Sequence, residues 1–405
     1  KGANSIGALV SPHSTLEELY LAGALVRGLG SNNIDYRLRN AEFAAAPGVR
    51  WLGRSIASLS TLQSVLVVGS NLRKDHPLFA QRIRQAARKG CVVMSVNAVV
   101  WDWAMPVAQT LVSAPGAWTQ ALADVAAAVA QEKGVQAPVA SGQASNEAAR
   151  AIAVALLAGE QKAVLLGNAA AHHAQASSLL ALAQWIAEQT GASVGYLTEA
   201  ANTVGAQWVK AVPGQGGLNA AEMLAGGLKG VILLNTEPVF DSAAGVKAAE
   251  ALAQAEMVVT LSPFKTNLEF SDVLLPIAPF TETSGSFVNA EGRLQSFHAV
   301  VRPLGETRPA WKVLRVLANL LDLQGFDFET SQDVLSKATG APAGQAQSVP
   351  AELLDNRTAV VPQAAASGAA DPVVASIYQL DGLVRRSTSL QLTADARLAR
   401  EGAAA

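Results

Sequence analysis

The stretch at residues 270–295 decides the fold of this chain and reads FSDVLLPIAPFTETSGSFVNAEGRLQ. Its apolar run at 273–277 has the length of a buried strand in a parallel sheet. Pro276 suits only the end of such a strand, because proline has no N–H group to donate to the ladder. The composition then changes to hydroxyl residues, glycines and fixed polar groups. Since ligands in open α/β sheets bind outside the carboxyl ends of strands, this change predicts a polar, ligand-shaped loop at 281–295.

Further short apolar runs precede this stretch and alternate with helical patterns. Five of them have the composition of strands that are buried on both faces: SVLVVGS at 64–70, CVVMSVN at 91–97, AVLLGN at 163–168, GVILLNT at 230–236 and MVVTLSP at 257–263. A helix beginning near Pro77 separates the first two runs, since proline is favoured in a first helical turn. The alternation predicts an α/β fold with two doubly wound, mostly parallel-sheet domains.

The first helix has a recognisable start. Ser14 and Glu17 match the spacing of a capping box, in which the serine side chain bonds the third helical amide and the glutamate reaches back. Leu16 and Leu19 then recur at helical spacing, and Gly28 ends the pattern. The sequence therefore predicts a helix between Ser14 and Gly28, with Ser14 as its N-cap.

Length and local composition divide the chain. A chain of 405 residues is too long for one ordinary core. The stretch at 134–146 has no periodicity, and the pattern loosens again beyond residue 325, where small and polar residues cannot bury enough apolar surface to fold alone. The prediction is a first α/β domain at 1–130, a linker at 131–146, a second α/β domain at 147–325 and a loosely structured C-terminal extension at 326–405.

Composition excludes several classes of function. The net charge of −2 gives no electrostatic reason to expect nucleic acid. No apolar run reaches the roughly 18 residues that span a bilayer, so no direct membrane insertion is predicted. No secretory signal is visible at the start of the sequence. The adjacent His172 and His173 cannot share one helix face, and no metal site is predicted from them.

The single cysteine, Cys91, limits redox chemistry. It rules out an intrachain disulfide, and an iron–sulfur cluster needs about four thiolates, so this chain alone holds no cluster. Cys91 opens the run CVVMSVN, whose pattern favours a buried structural thiol over a ligand or nucleophile.

Several stretches together resemble a known family. SDVLLP and ETSGSFVNAEGRLQ, at 271–276 and 282–295, resemble the signature of molybdopterin-dependent oxidoreductases, the group of formate dehydrogenases and nitrate reductases. The sequence is most similar to their relative in bacterial respiratory complex I, the large iron–sulfur subunit of NADH–quinone oxidoreductase. Three further stretches carry this closer resemblance: SPHSTLEELYLAGALVRGLGSNNIDYRLR at 11–39, SPFKTNLEF at 262–270 and YQLDGLVRRSTSLQLT at 378–393. The resemblance implies domains like the first three of formate dehydrogenase or DMSO reductase, without the C-terminal β-barrel.

The resemblance also assigns candidate site positions, all at predicted strand ends or in the polar loop. As vestigial pterin-site positions it implies Gly69, Ser70, Asn71, Gly167, Glu237, Glu282, Thr283, Gly285, Asn289 and Arg293. No catalytic residue is predicted. An alternative interpretation of the polar loop is a local ion-pair cluster of Glu282, Glu291 and Arg293 that only fixes its shape.

The resemblance implies that this chain is a mainly structural portion of complex I and holds no cofactor. It takes part in electron transfer from NADH to quinone only as a component of that complex. Iron–sulfur clusters are expected in N-terminal domains absent here, and the expected partners are other peripheral-arm subunits on the cytoplasmic side of the bacterial inner membrane.

Two alternatives remain open at this point. One is a fragment of an active molybdopterin-dependent oxidoreductase, in which Gly69, Asn71, Glu282, Asn289 and Arg293 hold the pterin dinucleotide. The other is a general α/β nucleotide-binding module, although the chain lacks a Walker loop and a complete GxGxxG.

Overall fold

The computed structural model describes residues 2–342, 344–345, 348–364 and 375–403. The strands among these residues are β1 (Ile6–Val10), β2 (Ile34–Asp35), β3 (Ser64–Val68), β4 (Val92–Asn97), β5 (Gln109–Val112), β6 (Lys162–Leu166), β7 (Ser193–Tyr196), β8 (Gly230–Leu234), β9 (Met257–Ser262), β10 (Val273–Pro276), β11 (Gly285–Val288) and β12 (Leu294–Phe297). The helices are α1 (Leu16–Gly28), α2 (Leu72–Asp75), α3 (Pro77–Ala87), α4 (Trp118–Lys133), α5 (Glu147–Leu157), α6 (Asn168–Ala171), α7 (Ala176–Thr190), α8 (Thr203–Trp208), α9 (Ala220–Leu224), α10 (Pro238–Asp241), α11 (Val246–Leu252), α12 (Ala310–Leu320), α13 (Ser331–Thr339), α14 (Ile377–Leu380), α15 (Gly382–Arg386), α16 (Thr388–Gln391) and α17 (Ala394–Ala403).

The chain forms two compact units that interleave in sequence. Unit 1 comprises Lys1–Arg39 and Ala200–Leu353, and unit 2 comprises Asn40–Glu199 and Leu354–Ala405. This division corrects the predicted boundaries at 130, 147 and 325. The early strand β1 pairs with β8, although residues 40–199 lie between them in sequence. Strand pairing over such a separation leaves no local signal, because the bonded groups are ordinary backbone N–H and C=O groups.

The predicted linker at 131–146 is an internal connection of unit 2. It begins within the last turn of α4 and leads to α5. Its backbone and side chains are anchored to α4, since Gln143 N donates to Asp124 Oδ1 at 2.9 Å and Asn146 Nδ2 donates to Asp124 Oδ2 at 3.1 Å. Low periodicity therefore marked a tethered loop here and not a boundary between domains.

Unit 1 is built on a five-stranded parallel sheet in the order β10-β9-β8-β1-β2. One buried face packs aliphatic residues of β1, β8 and β9 against α9 and α11. Strand β10 is an edge strand with its side chains partly exposed, which corrects the prediction of a buried strand. Pro276 is its last residue, as predicted.

Helix α1 follows β1 and begins one residue later than predicted. Its N-cap is Thr15, and the capping box is closed by Glu18, whose Oε2 accepts from Thr15 N at 3.0 Å. The Ser14 side chain is used elsewhere, because Asn235 Nδ2 donates to Ser14 Oγ at 2.9 Å. The sequence contains two overlapping matches to the box, and a tertiary contact selects between them.

The predicted polar loop at 281–295 is largely an antiparallel hairpin of β11 and β12. Its turn is held by Asn289, whose Oδ1 accepts from Glu291 N at 3.1 Å and from Arg293 N at 2.9 Å. Gly292 has φ +88°, a conformation that glycine adopts without strain. The hydroxyl and glycine residues that predicted a ligand loop thus serve a hairpin.

Unit 2 contains a second five-stranded parallel sheet, in the order β5-β4-β3-β6-β7. Its core joins all five strands to α4, α5 and α7. The predicted β3–helix–β4 arrangement is confirmed, with Pro77 in the first turn of α3. Two parallel sheets flanked by helices confirm the predicted α/β class.

The predicted C-terminal extension at 326–405 is more regular than expected. It contains α13 in unit 1 and α14 to α17 in unit 2. Residues 343, 346–347, 365–374 and 404–405 of this prediction lie outside the described residues. Within the described part no strand follows β12, and none of its helices has the length and apolar character needed to cross a membrane.

Candidate functional site

The turn after β3, residues 69–75, contains three of the predicted site positions and is here named the β3-end turn. Gly69 has φ +62°, and a Cβ atom there would lie 2.7 Å from Ala170 N and from the Trp118 ring. Its N–H donates to Val96 O at 2.9 Å. A glycine at this position is therefore required by both conformation and space.

The next two amides of the β3-end turn are also bonded within the chain. Ser70 N donates to Asn97 Oδ1 at 3.0 Å, and Asn71 N donates to Asp75 Oδ2 at 3.0 Å. Backbone amides at a strand end are the usual donors to a phosphate. At this turn each of them already has an acceptor from unit 2.

The charged groups around the β3-end turn are partnered as well. Burial raises the pKa of Asp75 from 3.8 to about 6, an effect only partly offset by the bond from Asn71 N. Arg73 pairs with Asp102 at 2.7 Å, and Lys74 pairs with a carboxylate of α17. Burial also lowers the pKa of His76 to about 4, while its Nε2 lies 3.0 Å from a backbone oxygen.

Gly167, at the end of β6, approaches the β3-end turn closely. A Cβ atom on Gly167 would lie 2.4 Å from Ser70 Cβ and 2.5 Å from Gly69 O. Its N–H donates to Val68 O at 2.8 Å. The strand order changes direction between β3 and β6, which is the point where doubly wound sheets bind ligands. The structure brings Gly69, Ser70 and Gly167 together there.

Four buried polar atoms at this edge have no hydrogen-bond partner among the described residues. They belong to residues at or just beyond the carboxyl ends of four adjacent strands, in the order β5, β4, β3, β6: Ser113 Oγ, Asn97 Nδ2, Ser70 Oγ and Asn168 Oδ1. Buried polar groups in folded proteins almost always have partners. This row marks a polar edge of the unit 2 sheet, and it could have been suspected from the polar residue that ends each apolar run.

Glu237 lies in the corresponding turn of unit 1, after β8, here named the β8-end turn (residues 235–241). Asn235 has φ +53°, and its N–H donates to Leu261 O at 2.9 Å. Glu237 N donates to Asp241 Oδ2 at 2.7 Å, and Thr236 Oγ1 donates to the same oxygen at 3.2 Å. The backbone of this turn is therefore closed by its own aspartate.

The five remaining predicted positions build the hairpin and the segment leading into it. Glu282 Oε2 accepts from Leu304 N at 2.9 Å, and the buried Thr283 donates to Ser284 O at 3.1 Å. A Cβ atom on Gly285 would lie 2.5 Å from a Thr15 methyl carbon. Asn289 closes the turn, and the Arg293 side chain is exposed.

Sequence reasoning missed the residue that holds this hairpin. Glu17 is fully buried, and its carboxylate accepts from Ser286 N at 2.9 Å and from Ser286 Oγ at 2.8 Å. Burial raises the pKa of Glu17 from 4.5 to about 7, although these bonds and its backbone oppose the rise. Burial likewise raises the pKa of the neighbouring Glu18 to about 7. No local pattern distinguishes Glu17 from a solvated glutamate of a first helical turn.

Comparison with known proteins supplies the family. The molybdopterin oxidoreductase family matches residues 1–320. The chain belongs to this family. A subunit of the NADH-quinone oxidoreductase of Streptomyces coelicolor is 28% identical over 366 residues, which is 78% of this chain and 42% of that protein. The probable oxidoreductase YjgC of Bacillus subtilis is 24% identical over 407 residues, or 83% of this chain and 41% of that protein.

The chain thus spans less than half the length of these curated relatives. Among solved structures, one polypeptide of the formyltransferase/hydrolase complex from Methylorubrum extorquens superposes with a TM-score of 0.55 at 15% identity. The match covers 78% of this chain and 91% of that one, and it shows a shared fold. The predicted molybdopterin oxidoreductase type of fold is confirmed.

The family name implies a molybdopterin group, for which the backbone amides of the β3-end and β8-end turns are not free. The diphosphate of a pterin dinucleotide requires N–H donors or cations. At the β3-end turn the amides of Gly69, Ser70 and Asn71 are bonded within the chain, and the Asp75 carboxylate takes one of them. The β8-end turn is closed in the same way.

The groups that could ligate a metal do not assemble at these turns either. Cys91 precedes β4 at its amino end, opposite the edge that holds the β3-end turn, and burial raises its pKa to about 11. His172 Nε2 lies 2.7 Å from Glu199 Oε2, and His173 Nε2 lies 3.0 Å from Pro115 O. The described residues contain no group of three or more His, Cys, Asp and Glu side chains placed to hold a metal ion.

Proposed function

We propose that this chain is the molybdopterin-type portion of the large iron–sulfur subunit of an NADH–quinone oxidoreductase, with a structural role and no bound cofactor. The observation that carries the proposal is the similarity to the Streptomyces coelicolor subunit over 78% of the chain. The closed β3-end and β8-end turns support the absence of a cofactor, because a dinucleotide would need the amides that Asp75 and Asp241 occupy.

In this role the chain takes part in electron transfer from NADH to quinone by membership in the complex. Iron–sulfur clusters belong to N-terminal domains of the complete subunit, since Cys91 is the single thiol of this sequence. The partners are other peripheral-arm subunits, on the cytoplasmic side of the bacterial inner membrane.

A second candidate is a portion of an active molybdopterin-dependent oxidoreductase. The similarity to the probable oxidoreductase YjgC over 83% of the chain favours it, as does the row of four unpartnered polar atoms in unit 2. In that case Gly69, Asn71, Glu282, Asn289 and Arg293 would contact the pterin dinucleotide. The bonded amides of the β3-end turn argue against it.

Affinity purification of the natively expressed protein separates the two candidates. The chromosomal gene is tagged, membranes are solubilised gently, and co-purifying proteins are identified by mass spectrometry beside an untagged strain. Molybdenum is measured by elemental analysis, and pterin by fluorescence after oxidation. The proposal expects flavin- and cluster-bearing subunits at equal stoichiometry with no molybdenum. Molybdenum and pterin at one equivalent each, without those subunits, would establish the second candidate instead.

A further inference from the structure

The β3-end turn and the β8-end turn have the same backbone arrangement, one in each unit. Their sequences are VVGSNLRKD at 67–75 and LLNTEPVFD at 233–241. Each places its first turn residue in the left-handed region, Gly69 at φ +62° and Asn235 at φ +53°. Each donates that residue's N–H to the adjacent strand at 2.9 Å. Each then forms a four-residue helix, α2 or α10, that ends in aspartate.

The aspartate performs the same local task in both copies. Asp75 Oδ2 accepts from the amide four residues earlier at 3.0 Å, and Asp241 Oδ2 does so at 2.7 Å. An ionised acceptor makes such a bond stronger than a neutral one would. Without this carboxylate, the amide four residues before the aspartate would be free to bond water or an anion.

Beyond the shared aspartate, the two turns differ in chemistry. In the β8-end turn the hydroxyl of Thr236 is bonded to Asp241, and the residues before the aspartate are Glu, Pro, Val and Phe. In the β3-end turn the hydroxyl of Ser70 has no partner among the described residues, although Ser70 is only 3% exposed. Asn97, which accepts from Ser70 N, leaves its own Nδ2 unpartnered within the same described part of the chain.

The β3-end turn also lies where a sheet of this order presents a ligand site, beside Gly167 at the change of strand direction. Two basic residues, Arg73 and Lys74, follow Asn71, and both are paired with carboxylates. Unpartnered donors, a hydroxyl and neighbouring cations are the groups that hold a phosphate. Within the turn itself, the group that opposes a phosphate is the carboxylate of Asp75.

We propose that Asp75 is an internal anion that takes the place of a ligand phosphate and closes the β3-end turn to phosphate-bearing ligands. This inference rests on the proposed cofactor-free function. In the β8-end turn the matching aspartate accepts from the Glu237 amide and from the Thr236 hydroxyl, and the residues of that turn include no lysine or arginine. Asp75 then accounts for the bonded amide of Asn71, whereas the amides of Gly69 and Ser70 are bonded to β4.

Pyrophosphate binding to the purified chain tests the inference. Wild type, Asp75→Ala, Asp75→Asn and the matched control Asp241→Ala are titrated with sodium pyrophosphate by calorimetry at pH 7.5 and low salt. Wild type and Asp241→Ala are expected to show no binding below millimolar concentration. Asp75→Ala is expected to bind at least tenfold more tightly, because the Asn71 amide is released and a negative charge is removed. Asp75→Asn retains an acceptor for that amide, and it guards against a misfolded alanine variant.

Two results would overturn the inference. One is binding to wild type as tight as to Asp75→Ala, which would show that the carboxylate closes nothing. The other is no binding to either folded Asp75 variant, which would leave Asp75 with the backbone role of Asp241. Neither result touches subunit co-purification, so a failure here is distinguishable from a failure of the proposed assembly. Melting temperatures of the four proteins confirm that each is folded during the titrations.

Discussion

In unit 1 the polar groups near the strand ends find partners within the chain, whereas in unit 2 a row of them has atoms without a partner among the described residues. Hairpin β11–β12 brings Ser286 to the buried Glu17, and Asn235 bonds Ser14 across the point where the unit 1 sheet changes direction. At the equivalent edge of unit 2, Ser70, Asn97 and Asn168 each keep an atom without a partner among the described residues. Two sheets of the same kind can therefore share a backbone arrangement at their strand ends. Only one of them bonds the polar groups at that edge to other residues of its own unit.

The difference concerns the strand ends, where unit 1 bonds its buried polar groups and unit 2 leaves several of them without a partner among the described residues. A buried carboxylate with bonded neighbours stabilises one arrangement of the hairpin, and it is costly to leave without those neighbours. An unpartnered buried hydroxyl is instead a cost that the fold already carries. Removing a bonded polar group in unit 1 should therefore lower the free energy of unfolding. Removing an unpartnered one in unit 2 should leave that free energy unchanged or raise it slightly.

The largest effect is expected from the left-handed residue that begins each turn. Gly69→Ala should lower the free energy of unfolding of unit 2 by about 4 kcal/mol, from left-handed strain and from crowding against the Ala170 amide and the Trp118 ring. Asn235→Gly, at the matching position of unit 1, should change stability by less than about 1 kcal/mol, because glycine accepts this conformation and one hydrogen bond is lost.

Hydrogen–deuterium exchange with peptide resolution measures both variants, since it reports each unit separately. Faster exchange is expected in the unit 2 peptides of Gly69→Ala, with unit 1 peptides as the internal reference. Equal losses in Gly69→Ala and Asn235→Gly would show that the two turns are under the same constraint.

The next effect concerns the pH dependence of unit 1. Because the pKa of Glu17 is about 7 in the folded chain and 4.5 ordinarily, the folded state holds a proton that the unfolded chain has released between these values. The free energy of unfolding should therefore fall as pH rises from 4.5 to 7, by about 3 kcal/mol for this group, and then level off. Glu17→Gln should remove the part of this pH dependence of the unfolding free energy that comes from Glu17. The part that comes from Glu18 should remain.

Urea unfolding between pH 4.5 and 8.5 checks this expectation, with exchange data corrected for intrinsic rates to assign the slope to unit 1. His76 in unit 2 acts with the opposite sign, since its lowered pKa makes stability rise as pH increases from 4 to 6.5. A Glu17→Gln variant with an unchanged slope would contradict the assignment to Glu17.

The smallest pair of effects compares a satisfied with an unsatisfied serine. Ser286→Ala should cost about 2 kcal/mol, because the hydroxyl that bonds the Glu17 carboxylate is lost. Ser70→Ala should stay within about 0.5 kcal/mol of wild type or stabilise slightly, since its hydroxyl has no partner among the described residues. Urea midpoints measured side by side decide between the two expectations, and a larger loss in Ser70→Ala would mean that its hydroxyl is bonded in solution.

Local patterns predicted much of the chain correctly. The apolar runs at 64–70, 91–97 and 230–236 are strands, Pro77 lies in a first helical turn, and Pro276 ends its strand. The polar loop expected at 281–295 is largely a hairpin, and the sequence did not show this because Gly285, Asn289 and Gly292 suit either structure. The positions Gly69, Ser70 and Gly167 were correctly expected at strand ends, and the structure brings them together.

The sequence by itself determined the α/β class, the family and the polar character of the strand ends, because each of these depends on residues that are close together in the sequence. Only the tertiary structure decided which strands share a sheet, since β1 and β8 are joined by backbone groups that carry no sequence label. It also decided the role of Glu17 and Asp75. Whether a carboxylate faces water, a serine or a backbone amide depends on chain segments that meet only after folding, and that environment sets its pKa and its hydrogen bonds.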